Sequence, residues 1–72
     1  MRIKVVSFIV GKTELTGEYN LSSTMSIAEF LESLGVSWDN EALVVVNNKI
    51  FGGQYQLKDG DEIHLLTPIL GG

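Results

Sequence analysis

Residues 22–36 read SSTMSIAEFLESLGV, and this stretch predicts the helix around which the fold is built. Ser26 and Glu29 have the spacing of a capping box, in which each side chain accepts a hydrogen bond from the other residue's backbone N–H. Gly35 is placed to end the helix in the left-handed conformation that glycine adopts without strain. Four apolar residues share one helical face, and they are Ile27, Phe30, Leu31 and Leu34. An amphipathic helix with such a stripe requires a sheet to pack on.

Five further segments have the β-branched or alternating composition of strands, and they are residues 1–10, 13–21, 42–47, 49–51 and 62–67. The first two are separated by the turn residues Gly11 and Lys12, so they predict an antiparallel hairpin. The third reads ALVVVN, and its apolar character predicts a central strand covered on both faces. Residues 47–48 and 59–61, which read NN and DGD, predict tight turns. The order β-β-α-β-β-β predicts an α+β fold.

The first strand leaves open which faces of the sheet are covered. Ile3 and Val5 alternate with charged residues and predict one inward face, but the alternation blurs from residue 6 onward. Either a bulge shifts the register there, or the second face is also apolar. In the second case Val6, Phe8 and Val10 would line a surface that another surface must cover. Core packing of a strand buried on both faces would explain the same residues.

The length and composition limit the kinds of protein that this chain can be. A chain of 72 residues with 44% hydrophobic and 19% charged residues predicts one small globular domain. The net charge of −4 argues against nucleic-acid binding, which requires a basic face to neutralise phosphates. No cysteine is present, so the chain can build no disulfide, thiolate metal site or cysteine nucleophile. There is no apolar run of about 18 residues and no signal-peptide pattern, so we expect a soluble cytoplasmic protein without a membrane span.

No internal group of residues predicts catalysis. His64 is the only histidine, so neither a zinc site nor a Cys–His pair can form. No phosphate-binding loop motif occurs. The acidic residues 59, 61 and 62 lack the spacing of a calcium loop, and a solvated turn is the simpler interpretation. We therefore predict a protein that is not an enzyme and has no metal site, while the roles of His64 and Trp38 stay open.

The last five residues, 68–72, read PILGG and form a predicted flexible tail after a domain of residues 1–67. Pro68 lacks the N–H that would extend a strand ladder, so it releases the tail from the sheet. Gly71 and Gly72 place the terminal carboxylate on a narrow arm that a partner can approach closely. A carboxylate acylates poorly, so its use would require ATP and a partner that forms an acyl-adenylate. A frayed end is the alternative interpretation.

Three features of the sequence are specific when they occur together. They are the capped helix of residues 26–35, the apolar strand closed by Asn47, and the sequence LKDGDEI at residues 57–63 followed by Pro68 and a terminal Gly-Gly. In combination they resemble the small sulfur carriers of thiamine and molybdopterin biosynthesis, the ThiS/MoaD family. The order of elements also resembles the ubiquitin-like β-grasp fold, in which one helix crosses a mixed β-sheet. The resemblance covers nearly the whole chain.

The resemblance implies a mechanism and a set of partners. A ubiquitin-activating-like adenylyltransferase would use ATP to adenylate Gly72, and a sulfur donor would convert the adenylate to a thiocarboxylate. The tail would then enter an acceptor synthase, either thiazole synthase or the large subunit of molybdopterin synthase. The residues that would thread into the partner's site are Pro68, Ile69, Leu70 and Gly71. The carrier itself would bind no cofactor.

The resemblance also implies docking through the apolar sheet face, and it assigns Phe8 and Leu66 to this role. The pathway stays open, because molybdopterin carriers usually have an aromatic residue and two prolines before the tail, and this chain keeps only Pro68. Thiamine carriers are typically this short but often lack that proline. A ubiquitin-like protein modifier, a sulfur donor for transfer-RNA thiolation and a β-grasp interaction module without terminal chemistry are the alternatives.

Overall fold

The computed structural model of the chain describes residues 1–37 and 42–67, which form one five-stranded sheet and one α-helix. The strands are β1 (Arg2–Ser7), β2 (Gly17–Asn20), β3 (Leu43–Val46), β4 (Lys49–Ile50) and β5 (Glu62–Leu66), and the helix is α1 (Ile27–Ser33). A short 3-10 turn at Thr13–Leu15 precedes β2. The strands and the helix follow one another along the chain as predicted, and the α+β class is confirmed.

The strands lie in the spatial order β2-β1-β5-β3-β4, with β1 and β5 parallel and the other neighbouring pairs antiparallel. Val5 lies opposite Ile63 in the parallel pair, although the two residues are distant in sequence. Parallel neighbours require a long crossover, and the chain between these strands contains α1. This mixed sheet with one helix is the β-grasp arrangement that the resemblance implied.

The start of α1 is fixed by the predicted capping box. The Ser26 hydroxyl accepts a hydrogen bond from the Glu29 backbone N–H at 3.1 Å, and the Glu29 carboxylate accepts one from the Ser26 N–H at 3.0 Å. The hydrogen bond from the Ser26 backbone is the main cause that holds the pKa of Glu29 below its ordinary value. The N–H groups of Ile27 and Ala28 donate to carbonyls of the loop between β4 and β5. The N–H groups that a helix start leaves unpaired therefore find partners.

The end of α1 has the Schellman arrangement of hydrogen bonds. The Val36 N–H donates to the Leu31 carbonyl at 2.9 Å, and the Gly35 N–H donates to the Glu32 carbonyl at 3.0 Å. Gly35 has a φ of +81°, in the left-handed region where a side chain is strained. Leu31 and Val36 are both buried, so the motif also adds two side chains to the core. The predicted end of the helix is confirmed.

The core lies between α1 and one face of the sheet, which we call the inner face. Buried side chains from α1 and from β1, β3 and β5 meet there, and they are Ile3, Val5, Ile27, Phe30, Leu31, Val44, Val46, Ile63 and Leu65. Phe30 packs edge-on against Tyr19 of β2, with ring centroids 5.4 Å apart. A domain near this size buries only about 60% of its unfolded surface, so each of these side chains is a large share of the stabilising area.

β1 keeps strict alternation along its length, so no bulge shifts its register. Ile3, Val5 and Ser7 are buried on the inner face. Ile9 continues the same alternation at 6% exposure, while Phe8 between Ser7 and Ile9 is 56% exposed. Of the two interpretations that the sequence left open, the apolar second face is therefore the correct one.

The hairpin of β1 and β2 is antiparallel as predicted, but its connection is longer than two residues. After Ser7 the chain makes a turn that is closed by a hydrogen bond of 3.0 Å from the Lys12 N–H to the Ile9 carbonyl. The 3-10 turn at Thr13–Leu15 follows, so the prediction of a strand from residue 13 is wrong. The Ser7 N–H donates to the Thr16 hydroxyl at 2.9 Å, and this side chain takes the place of a backbone partner.

β3 lies inside the sheet between β5 and β4, but it is not covered on both faces as its composition predicted. Val44 and Val46 are buried on the inner face. Leu43 is 38% exposed and Val45 is half-buried on the opposite face. The reason is that the helix found in the described residues covers only one face of the sheet.

Both predicted turns are confirmed. Asn47 and Asn48 join β3 to β4 with φ values of +50° and +71°, as in a type I′ hairpin turn. The turn before β5 is closed by a hydrogen bond of 3.1 Å from the Asp61 N–H to the Lys58 carbonyl. Gly60 within this turn has a φ of +88°, which explains why glycine is needed there.

Replacing Gly35 by alanine should lower the free energy of unfolding by about 1 kcal/mol, because alanine is strained at this φ. The added Cβ would meet no atom within 4 Å, so the cost is one of backbone conformation alone. Gly52→Ala is the matched control, since its Cβ also meets open space and its φ lies outside the left-handed region. Urea unfolding followed by circular dichroism measures both variants. Equal destabilisation of the two would contradict the assignment of strain to Gly35.

Candidate functional site

The sheet face opposite α1, which we call the outer face, is apolar and partly exposed. Its apolar part consists of seven side chains, which are Val6, Phe8, Leu43, Val45, Ile50, His64 and Leu66, while the charged residues Lys4, Glu18 and Glu62 share the face. Ile50 is 68% exposed and Phe8 is 56% exposed, while the other members are less accessible. A contiguous apolar patch of this kind marks an interaction site, since soluble monomers rarely expose one without a use.

Phe8 and Leu66, the two residues assigned to docking, both lie on the outer face. Phe8 directly follows β1, and its N–H donates to the Leu65 carbonyl at 2.8 Å, which holds it beside the end of β5. Leu66 is the last residue of β5, and it is half-buried opposite Leu43. The structure therefore places the two residues at the same end of one face. Their role in docking stays a prediction.

His64 and Glu62 form a polar pair on the same face. Nε2 of His64 lies 2.7 Å from Oε2 of Glu62, and the ring of Phe8 meets the imidazole edge-on at a centroid distance of 6.0 Å. The hydrogen bond from His64 is the main cause that holds the pKa of Glu62 below its ordinary value, and the positive charge of Lys4 acts in the same direction. Glu62 is therefore a carboxylate at neutral pH.

Asp61 is a buried carboxylate that sequence reasoning placed in a solvated turn. The residue is 5% exposed, and its side chain accepts three hydrogen bonds. Nδ2 of Asn47 donates to Oδ1 at 3.0 Å, while the Lys58 N–H and the Tyr55 hydroxyl donate to Oδ2 at 2.8 and 3.1 Å. Burial is the main cause that raises the pKa of Tyr55, and its hydrogen bond to Asp61 adds to the effect. Asp61 therefore has a structural role that its position after the turn did not reveal.

Asn47 extends this network to the start of β5. Its Oδ1 accepts a hydrogen bond from the Glu62 N–H at 3.0 Å, and its own N–H donates to the Glu62 carbonyl at 3.0 Å. The residue thereby joins the turn after β3 to the strand that carries the polar pair. The signal in the sequence was the asparagine that closes the apolar run of β3, since its side chain has both a donor and an acceptor.

The acidic residues near the start of β5 do not converge on a common point. Asp59 accepts a hydrogen bond from the Arg2 N–H at 2.7 Å, whereas Asp61 and Glu62 bind the partners described above. Within residues 1–37 and 42–67, no group of three or more histidine or acidic side chains is arranged to hold a metal ion. A depression beside these residues is open and lined by opposing charges such as Lys4 and Asp59, which is unlike an apolar ligand pocket.

The predicted reactive tail lies outside the residues that the structure describes. This concerns the proposed thiocarboxylate site at Gly72 and the threading residues Pro68, Ile69, Leu70 and Gly71, and also Trp38 in the loop before β3. The last described residue before the tail is Thr67, which directly follows β5. The division into a domain of residues 1–67 and a tail of residues 68–72 therefore stays a prediction.

Comparison with protein families identifies the chain. A model of the ThiS family matches residues 6–72, which is all but the first five residues. The chain belongs to the ThiS family. The resemblance to the ThiS/MoaD sulfur carriers is thereby confirmed, and the match includes the outer face, the turn that contains Asp61 and the terminal Gly-Gly. Comparison with curated proteins finds no match.

ThiS family membership supports a sulfur-carrier role in general terms. Members are small carrier proteins that interact with an adenylyltransferase and a synthase instead of acting as catalysts. The helix that the structure describes is too short to cross a membrane.

Replacing Asp61 by asparagine should lower the free energy of unfolding by about 2 kcal/mol, because one acceptor oxygen becomes an NH₂ group that faces a hydrogen-bond donor. Asp59→Asn is the matched control, since the asparagine oxygen can keep the single hydrogen bond from Arg2 at an exposed site. Thermal and urea unfolding at pH 7 measure both variants. Equal stability of Asp61→Asn and the wild type would contradict a structural role for this carboxylate.

Proposed function

We propose that this protein carries sulfur as a thiocarboxylate on its C-terminal residue, Gly72. The observation that carries the proposal is the match to the ThiS family, which extends over residues 6–72 and so includes the terminal Gly-Gly. A partner adenylyltransferase uses ATP to activate the Gly72 carboxylate, and a sulfur donor then replaces the adenylate. The thiocarboxylate delivers its sulfur to an acceptor synthase of thiazole or molybdopterin formation in the cytoplasm.

Activation is required because a free carboxylate has no better leaving group than oxide. Attack of a carboxylate oxygen on the α-phosphate of ATP forms an acyl-adenylate and releases pyrophosphate. A sulfide-equivalent nucleophile then attacks the carbonyl carbon of Gly72 and expels AMP, which leaves the thiocarboxylate. Because Gly71 and Gly72 have no side chains, a narrow partner site can close around the backbone during both steps.

The outer face supports the docking step of this proposal. It ends at Leu66, and Gly72 lies six residues further along the chain. A fully extended chain spans about 3.3–3.6 Å per residue, so the carboxylate reaches at most about 22 Å beyond Leu66. A partner that binds the outer face must therefore hold its nucleotide within that distance. The same constraint applies to the acceptor synthase.

Co-expression with the adenylyltransferase and sulfur donor of the same organism should produce the thiocarboxylate. Intact-mass spectrometry is then expected to show the shift for replacement of one oxygen by sulfur, localised to Gly72 by fragmentation. Omission of the adenylyltransferase or deletion of Gly72 should abolish the shift, because no acyl-adenylate forms at the required position.

Two other outcomes would replace the proposal. Conjugates of higher mass that disappear on deletion of Gly72 would indicate a ubiquitin-like modifier. An unmodified carboxylate, together with full function after removal of Gly71 and Gly72, would indicate an interaction module. Which acceptor pathway receives the sulfur is decided by supplying the thiocarboxylate to each synthase in turn and measuring product.

Phe8→Ala should weaken binding to the adenylyltransferase by at least about tenfold, because a large, exposed aromatic side chain that a partner covers contributes strongly to affinity. The fold should be unaffected, since Phe8 is 56% exposed. Glu32→Ala is the control, because Glu32 is exposed on α1, on the other side of the sheet. Surface plasmon resonance measures both variants. Equal affinity of Phe8→Ala and the wild type would exclude the outer face as the docking surface.

A further inference from the structure

His64 is a polar side chain in the middle of an apolar surface. It is the only histidine of the chain, and Val6 on β1 and Val45 on β3 lie directly beside it in the sheet register. Its side chain is 33% exposed and contacts the ring of Phe8 edge-on. A partner that covers Phe8 therefore also removes water from the imidazole.

Removing water from His64 also affects Glu62, which is hydrogen-bonded to it. Its side chain is 47% exposed, and its Oε2 lies 2.7 Å from Nε2 of His64. The pKa of Glu62 is held low mainly by this hydrogen bond, so the residue enters a complex as a carboxylate. Removing water from a carboxylate is strongly unfavourable unless a positive charge neutralises it. The group in position to do so is the imidazole.

The two positively charged side chains of β1, Arg2 and Lys4, do not neutralise Glu62 in place of the imidazole. Lys4 is the register partner of Glu62, but the two form no ion pair within 4.0 Å in the described part of the chain. Arg2 lies further from the pair and is directed at Glu18, with 3.7 Å between Nε and Oε1. Lys4 therefore acts on Glu62 only at longer range, and it leaves the direct contact to His64.

β2 adds one charge to this side of the sheet, Glu18 opposite Lys4, and it is negative, so it does not neutralise Glu62. β3 and β4 add none. β3 contributes only leucine and valine. Lys49 on β4 lies opposite the buried Val46, so strand alternation places it toward the inner face. Nδ1 of His64 forms no hydrogen bond with any residue in the ranges 1–37 and 42–67. This nitrogen is therefore available to a partner.

We propose that the outer face docks a partner surface that is apolar and carries a hydrogen-bond acceptor opposite His64, and that docking takes up a proton on the imidazole. The inference rests on the proposed function, because the partner meant is the adenylyltransferase that activates the carrier. The protonated ring donates from both nitrogens, through Nε2 to Glu62 and through Nδ1 to the partner. The interface then contains a neutral, hydrogen-bonded ion pair in place of a lone carboxylate.

Proton uptake makes docking depend on pH in a defined direction. The complex favours the protonated ring and holds the proton to higher pH. Because the complex binds a proton that the free carrier lacks, affinity falls as pH rises, by at most about tenfold per pH unit.

Calorimetric titration of the full-length carrier with the adenylyltransferase of the same organism tests the inference. At pH 7.5, two buffers of different ionisation enthalpy give the number of protons taken up per complex. The wild type should take up a measurable fraction of a proton, and His64→Gln, which is polar but does not titrate, should take up close to none. Glu62→Gln should reduce the uptake in the same way. Glu32→Gln removes a carboxylate from α1 instead and should leave the uptake unchanged.

The outcomes separate this inference from the proposed function. Equal uptake by the wild type and His64→Gln, or proton release by the wild type, would overturn the inference while thiocarboxylate formation could still proceed. Absence of wild-type binding at every pH would remove the docking on which both depend. Circular dichroism shows whether His64→Gln is folded, and if it is not, the comparison of Glu62→Gln with Glu32→Gln decides the matter.

Discussion

One helix has to cover a five-stranded sheet, and the rest of the described structure depends on this constraint. Within residues 1–37 and 42–67, α1 covers the inner face with Phe30 and Leu31, and no segment covers the outer face. The apolar residues of the outer face therefore lie outside the core. This face ends at Leu66 on β5, the strand that precedes the predicted tail.

The parts of the fold that have a local physical cause were predictable from the sequence. The capping box, the glycine stop at Gly35 and the asparagine turn after β3 each depend on residues that are neighbours in the chain. The connection after Ser7 was not predictable, because the hydroxyl of Thr16 supplies a partner that composition does not indicate. The exposure of Leu43 was also missed, since coverage of a strand depends on how many helices the whole chain provides.

In the candidate site, too, some features were predictable from the sequence and others were not. Strand alternation predicted that Phe8 and Leu66 lie on the outer face. Alternation also explains why Glu62 and His64 lie side by side, because one residue separates them on β5. Asp61 was missed because its three donors come from separate segments. The role of the tail came from family likeness, which is now shown as membership, while the chemistry at its end stays a proposal.

The position of β5 between β1 and β3 has a consequence for folding. The hairpins β1–β2 and β3–β4 are local in sequence, and they do not pair with each other. They are joined only when β5 inserts between them, which requires closure of a long loop. β5 therefore makes two long-range pairings at the centre of the sheet, one with β1 and one with β3. A partner that binds across Phe8 and Leu66 contacts the end of β1 and β5 together, and binding to the folded carrier alone raises its free energy of unfolding.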